Sequence, residues 1–301
     1  MTTFSDLQTQ LDQGKVIILD GATGTELQRR GVPMHGFAWS AAALETHPET
    51  VRAVHEDYIR AGADVIITNS FSTARHVLKP AGLGDHVRAL NQRAVSLALE
   101  AREIAAAGRS VAIAGSMSGF RANVTSAEQL EASYREQAEL LAEAGVDLIA
   151  LEMMYSAEHI VPAIRAALAT GLPLWVGFSC QVTGDGTVQL LDNSPLATGL
   201  RQSLALLAPL SPGRTAVTVM HTLTEDIVSA LEIVRQHWSG PTGVYAHSGE
   251  WIDPNWQFID MISPEDYLTA AQRWIELGTQ IIGGCCGIGP EHIRLLKERL
   301  S

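Results

Sequence analysis

Eight times along the chain, a short apolar or β-branched run is followed by a longer stretch rich in Ala, Leu and Glu. The runs are 16–21 (VIILDG), 64–69 (DVIITN), 110–117 (SVAIAGSM), 146–153 (VDLIALEM), 173–180 (PLWVGFSC), 216–222 (AVTVMHT), 242–248 (TGVYAHS) and 280–287 (QIIGGCCG). Each has the length and composition of a buried strand. Between them, stretches such as HVRALNQRAVSLALEAREIAAAG and SAEQLEASYREQAELLAEAG place apolar residues three and four apart and stop at Gly108 and Gly145. That is the pattern of amphipathic helices closed by glycine. Near-continuously apolar strands alternating with helices imply a parallel sheet covered by helices. Eight such units without a break in composition favour a single (β/α)8 TIM barrel, an α/β fold, over an open doubly wound sheet. One domain, 1–301, is expected, since a barrel of this length commonly forms one.

Composition narrows the partners. Lys plus Arg number 21 against 33 Asp plus Glu, a formal charge of -12. Such a chain repels phosphate backbones and anionic lipid, and no basic cluster offsets this, so neither nucleic acid nor a membrane is an expected partner. No segment approaches the ~20 apolar residues of a membrane helix. The first residues, MTTFSDLQTQLDQGK, lack the basic and apolar regions of a secretory signal. The expected compartment is the cytoplasm, where the three cysteines are thiols rather than disulfides. Small molecules are the expected partners, and a homo-oligomer is compatible with the composition.

In a barrel of this kind, chemistry gathers where strands end and the following loops begin. The runs end in Asp20, Asn69, Ser116, Glu152, Ser179 with Cys180, His221, His247 with Ser248, and Cys285 with Cys286. Two longer loops, 28–46 and 248–262, are candidate lids, the second holding Trp251 and Trp256. The sharpest feature is Gly283-Gly284-Cys285-Cys286-Gly287. Adjacent Cα atoms stand about 3.8 Å apart, short of the ~4.4 Å at which relaxed disulfides begin. Flanking glycines let the backbone bend so that both thiols face one ion. A zinc site with an open position needs a third protein ligand, for which His221, His247 and Cys180 are candidates. Cys180 reads better as core. The alternative for the pair is two small residues packed in a strand.

These residues carry a resemblance. ILDGATGTELQRRG, AWSA around Trp39, GADVIITNSFSTA, AGSMSGFRA, GVDLIALEMM, PLWVGFSC, VYAHSGEW and GGCCGIGPEHI occur in order over almost the whole chain. Together they resemble the zinc-dependent homocysteine S-methyltransferases, whose members use betaine, S-methylmethionine or S-adenosylmethionine as donor. The resemblance implies a (β/α)8 barrel, Zn2+ as cofactor, and two small-molecule partners, a thiol acceptor and a methyl donor. It also implies that Cys285 and Cys286 are zinc thiolates, that Asp20 and Glu152 flank the amino acid's ammonium group, and that Asn69 and Ser248 are polar groups of the pocket. Trp39, the loop after the seventh strand and Phe71 would rim the donor pocket, where aromatic faces stabilise a positive centre.

The departures from the family pattern bear on the same site. Where the sixth strand of the family ends in Asn-Cys-Thr, this chain has Met220-His221-Thr222, and His247 stands where Asn precedes Ser-Gly-Glu. The expected metal ligands are therefore His221, Cys285 and Cys286, with Asp20, Glu152, Asn69, Ser248, Trp39, Ser116 and His247 around the substrates. No catalytic side chain is expected beyond the metal-activated thiol of the substrate. GSMSGF lacks the usual Gly-Pro, which points to an altered pocket. The leading expectation is transfer of a methyl group from an onium donor to homocysteine, giving methionine. Alternatives are another thiol or a selenol as acceptor, demethylation of an onium compound, or a barrel that binds amino acids or onium compounds without catalysis.

Overall fold

A computed structural model describes residues 3–122, 126–207, 214–253 and 255–301. Among them, eight strands form one parallel sheet: β1 (Ile17–Ile18), β2 (Val65–Ile67), β3 (Ala112–Ser118), β4 (Leu148–Met154), β5 (Leu174–Phe178), β6 (Thr215–Leu223), β7 (Thr242–His247) and β8 (Ile281–Ile282). From β2 to β8 each strand pairs with its successor, and β8 pairs back on β1 through Ile17 with Ile281 and Ile18 with Ile282. The remaining seam, between β1 and β2, is joined by a bridge from Leu19 to Val65. There Asp20 N donates to Val65 O at 3.0 Å and Asp64 N to Ile18 O at 2.7 Å. The fold is a (β/α)8 TIM barrel ringed by helices, as its strand runs suggested.

Alternation along the strands divides the core in two. Leu19, Val65, Ala112, Ala114, Leu148, Ala150 and Ala216 belong to the barrel interior, while Ile18, Ile66, Ile113, Ile149 and Val217 belong to the layer beneath the helices. This is the two-residue period of a strand applied to two apolar faces. Inward alanines leave volume that Trp175 and Tyr245 occupy. At the N-terminal end of the strands, α1 (Thr3–Asp12) adds Phe4, Leu7 and Leu11 to the same cluster. Burying each of these side chains contributes about 1.5–3 kcal/mol. The sequence reading contained no such plug.

The strands at the seam are shorter than their runs. β1 stops at Ile18 and β8 at Ile282, although Gly283 N and Cys285 N still donate to Val244 O and Ala246 O and Gly284 N to Asp20 O; Gly21 and Gly283 approach other backbone closely. The segment 28–46 is less open than expected: α2 (Thr23–Arg29) enters it, and short helical turns cover Ser40–Ala42 and Ala43–Thr46. The segment 248–262 contains an antiparallel hairpin of Glu250–Ile252 with Asn255–Gln257, and a second hairpin follows β5 (Cys180–Val182 with Val188–Leu190). Gly145 caps its helix with φ +98° as anticipated. Among the described residues, no helix is long and apolar enough to cross a membrane.

Candidate metal and substrate site

Two strand ends depart from regular pairing where chemistry was expected. The register shifts between Leu151 and Met154 on β4 and between Met220 and Leu223 on β6. Within these irregularities Met153 has φ +51° and His221 φ +46°. A bulge re-aims side chains, and a non-glycine residue in this region costs about 1–3 kcal/mol. Beyond β8, a Cβ on Gly284 would stand 2.2 Å from the Ile288 side chain, and one on Gly287 (φ +85°) 2.2 Å from the Ser248 carbonyl oxygen. Only glycine fits there, and the turn it permits presents two successive cysteines to one space.

The ligand atoms of His221, Cys285 and Cys286 lie within 4.8 Å of one another, a cluster with the geometry to hold a metal ion. Cys285 Sγ is 3.5 Å from His221 Nδ1 and 3.9 Å from Cys286 Sγ. The hydrogen bond to Cys286, then burial, push the Cys285 thiol well above its ordinary range, against the pull of His221. Of the other two ligand candidates, Cys180 lies apart from this trio. Its thiol faces Thr222 Oγ1 at 3.6 Å and is pushed up to about 12 by burial. His247 packs against His221 with ring centroids 4.6 Å apart and ring planes tilted by 51°. Burial and the neighbouring imidazole bring it down to about 3, and its Nδ1 has no partner.

Glu152 and Asp20 are both buried. Ser116 Oγ donates to Glu152 Oε2, and Asp20 Oδ2 accepts from Ile67 N at 2.8 Å, leaving Asp20 Oδ1 without a partner. Burial raises Glu152 to about 7, opposed by Ser116 and His221. Burial likewise lifts Asp20 well above the carboxylate range, with the charge of Glu152 adding to the effect. Two carboxyl groups held short of full charge in a dry place are suited to a cationic guest.

A cavity opens above these groups. Glu152, Asn69, Trp39, His221, Cys285 and Cys286 line it. Asp20, Ser116, Ser248 and His247 are not among its lining residues; they stand behind it. Ser116 holds Glu152, and Ser248 Oγ accepts from Ile262 N at 2.8 Å while Ser248 O accepts from Trp256 Nε1 at 3.0 Å. The Asn69 amide is tied to Ser40, accepting from its Oγ at 2.8 Å and donating to its carbonyl at 3.1 Å. Trp39 (φ +43°) lies over Gly24, whose missing Cβ would be 2.3 Å from the indole. Its Nε1 has no partner.

Comparisons with known proteins show the family of the chain. The family model described as homocysteine S-methyltransferase matches residues 17–300. The chain belongs to the homocysteine S-methyltransferase family. It is 32% identical to the homocysteine S-methyltransferase of Escherichia coli (strain K12), over 99% of this chain and 100% of that one. It is 31% identical to homocysteine S-methyltransferase YbgG of Bacillus subtilis (strain 168), over 96% and 95%. The metallated form of the homocysteine methyltransferase MmuM from Escherichia coli superposes with a TM-score of 0.79 at 30% identity, covering 97% of this chain and 99% of that one.

Within this family member, several cavity residues escaped the sequence reading. Phe120, Met153, Met220 and Tyr245 line the cavity as well. Met220 was within reach, since it adjoins His221 in a strand-end motif. Phe120 sits two residues beyond β3, where only its aromatic character hinted at a role. Met153 turns inward through the β4 bulge, which no spacing announces.

Proposed function

We propose that this chain transfers a methyl group from an onium donor, of the betaine or sulfonium type, to the thiol of homocysteine, giving methionine, with zinc held by His221, Cys285 and Cys286. The observation that carries this reading is the convergence of those three ligand atoms within 4.8 Å, beside a cavity lined by Glu152 and by aromatic side chains. All of this machinery is assigned to one domain, 1–301, working in the cytoplasm, where a reducing environment keeps both thiols available.

The donor set fits the ion. Two thiols and an imidazole are zinc ligands, and three protein ligands leave a position for substrate. The Cys285 thiol, held back from ionising by its hydrogen bond to Cys286 and by burial, favours a divalent cation that relieves the accumulating charge. When bound, zinc would supply the acidity that turns the substrate thiol, mostly protonated at neutral pH, into its nucleophilic anion.

The side chains of the protein do the remainder. Glu152, supported by Ser116 and with Asp20 behind it, holds the ammonium group of the amino acid by charge-assisted hydrogen bonds. The positive centre of an onium donor carries no hydrogen to donate, so aromatic faces are its natural contact. Trp39, Phe71, Phe120 and Trp251 supply them. In the transfer, a sulfur lone pair forms the new bond to the methyl carbon. The old bond to sulfur or nitrogen breaks with its electron pair returning to the donor, which leaves neutral. Opposite charges vanish together, and a water-poor cavity favours that change.

Protein purified without chelator tests the proposal by zinc analysis and by methionine formation from homocysteine and a panel of onium donors. Stoichiometric zinc and turnover with at least one donor are expected, with other thiols and selenols poorer acceptors. No zinc, together with no turnover for any donor, contradicts it.

A further inference from the structure

Four aromatic rings form an unbroken series along the cavity. Centroids are 5.5 Å apart from Phe120 to Phe71, 5.9 Å from Phe71 to Trp39, and 6.0 Å from Trp39 to Trp251. They come from four different loops, after β3, β2, β1 and β7, so no single element holds the wall together. Arg121 joins its two ends. The guanidinium lies over Phe37 at 4.3 Å and over Phe120 at 5.0 Å. Nε donates to Phe37 O at 3.0 Å, and Nη2 donates to Gly36 O and to Asp253 Oδ1, both at 3.1 Å. Asp253 sits in the turn of the hairpin that carries Trp251. Arg121 itself is outside the cavity lining and takes φ +53°, a strained value for a non-glycine residue.

We propose that Arg121 is a positioning residue for the methyl donor: by clasping the loops after β1 and β3 to the hairpin after β7, it holds the wall of Phe120, Phe71, Trp39 and Trp251 closed over the cavity. The class of guest, an onium cation, rests on the function proposed above; the clasp does not. The two halves of the clasp differ in strength. Toward the loop after β1, Arg121 has stacking and two carbonyl acceptors. Toward the hairpin it has one ion pair, with side chains 26% and 64% exposed, and exposed pairs are weak and screened by salt. The other side of the hairpin is fixed independently: Gln28 Nε2 donates to Trp256 O at 2.7 Å and Gln28 Oε1 accepts from Trp256 N at 3.0 Å. The tip therefore opens about an anchored strand while the rest of the wall stays in place. Asp253 also neutralises a guanidinium that would otherwise repel a cationic donor.

Arg121→Met and Asp253→Asn test this, the second at an exposed position where folding is not at risk. The readouts are amide hydrogen exchange at 250–252 and 255–257, and binding of tetramethylammonium, a cation offered only as a binding probe, followed by tryptophan fluorescence. Both variants should exchange faster at the hairpin. Probe Kd should rise about tenfold in Arg121→Met and about two- to fivefold in Asp253→Asn, and wild type in ~1 M salt should match Asp253→Asn. The donor KM should rise in parallel while the homocysteine KM stays within about twofold. Unchanged exchange and probe affinity in both variants overturn the clasp, as does an equal rise in both KM values. A wild-type protein that binds no cation overturns the onium reading, and hairpin exchange in the variants then decides the clasp alone.

Discussion

Cys285 Sγ lies 3.5 Å from His221 Nδ1, across a sequence separation of 64 residues. Two local distortions produce this approach: a register shift with positive φ at His221, and the glycine-flanked turn after β8. Both distortions act where the thiol pair and the imidazole meet.

Removing the imidazole should therefore uncouple metal binding from folding. His221→Ala is expected to lower zinc affinity by more than the ~10–100-fold that loss of a supporting hydrogen bond costs. His221→Cys should retain the ion. Competition against a chromophoric chelator measures both, and wild-type affinity in His221→Ala would remove His221 from the ligand set.

Glu152→Gln keeps the shape and the Ser116 contact but removes the charge. Hydrogen bonds to charged groups are worth about 1.5–3 kcal/mol, so the homocysteine KM should rise about 10- to 100-fold with the donor KM nearly unchanged. Steady-state kinetics with each substrate varied in turn separates the two. A rise confined to the donor would reverse the assignment.

At Gly24, an added methyl has nowhere to go except against Trp39. Gly24→Ala should displace the indole and cost about 1–3 kcal/mol of stability, as overpacking does. A lower Tm with a shifted tryptophan emission is the expected result, and an unchanged spectrum would show that Trp39 does not depend on this contact.

His55 gives a dependence on pH. It is fully buried, neither ring nitrogen has a partner, and burial pushes it down to about 4. In the unfolded chain a histidine titrates near ~6.5. Between these values the unfolded state takes up a proton and the native state does not, so stability falls as pH drops from about 6.5 to about 4 and levels below. The loss from this residue is about 3 kcal/mol. His76, also brought down to about 4, adds in the same sense. Urea unfolding at pH 7.5 and 5 should show a smaller difference for His55→Leu than for wild type.

The fold was legible because both faces of every barrel strand are apolar and the intervening helices keep their own period; Ile18 outward beside Leu19 inward is the pattern in miniature. Residue types at strand ends located Glu152, His221 and the cysteine pair. Their aim was not legible, since the β4 and β6 bulges are backbone events that VDLIALEM and AVTVMHT do not signal. Nor was Arg121 or Gln28, which act through carbonyls and loops far away in sequence. The helix α1 was overlooked because Phe4, Leu7 and Leu11 are too few apolar residues to stand out in a polar stretch.

His221, Cys285 and Cys286 are proposed to hold one zinc ion that receives the substrate sulfur. X-ray absorption at the zinc edge of the purified protein, with and without homocysteine, tests it most directly. Two sulfurs and one imidazole nitrogen are expected in the free protein, with one further sulfur once the thiol is added. A nitrogen- and oxygen-only environment, or a sulfur count that homocysteine leaves unchanged, would contradict it.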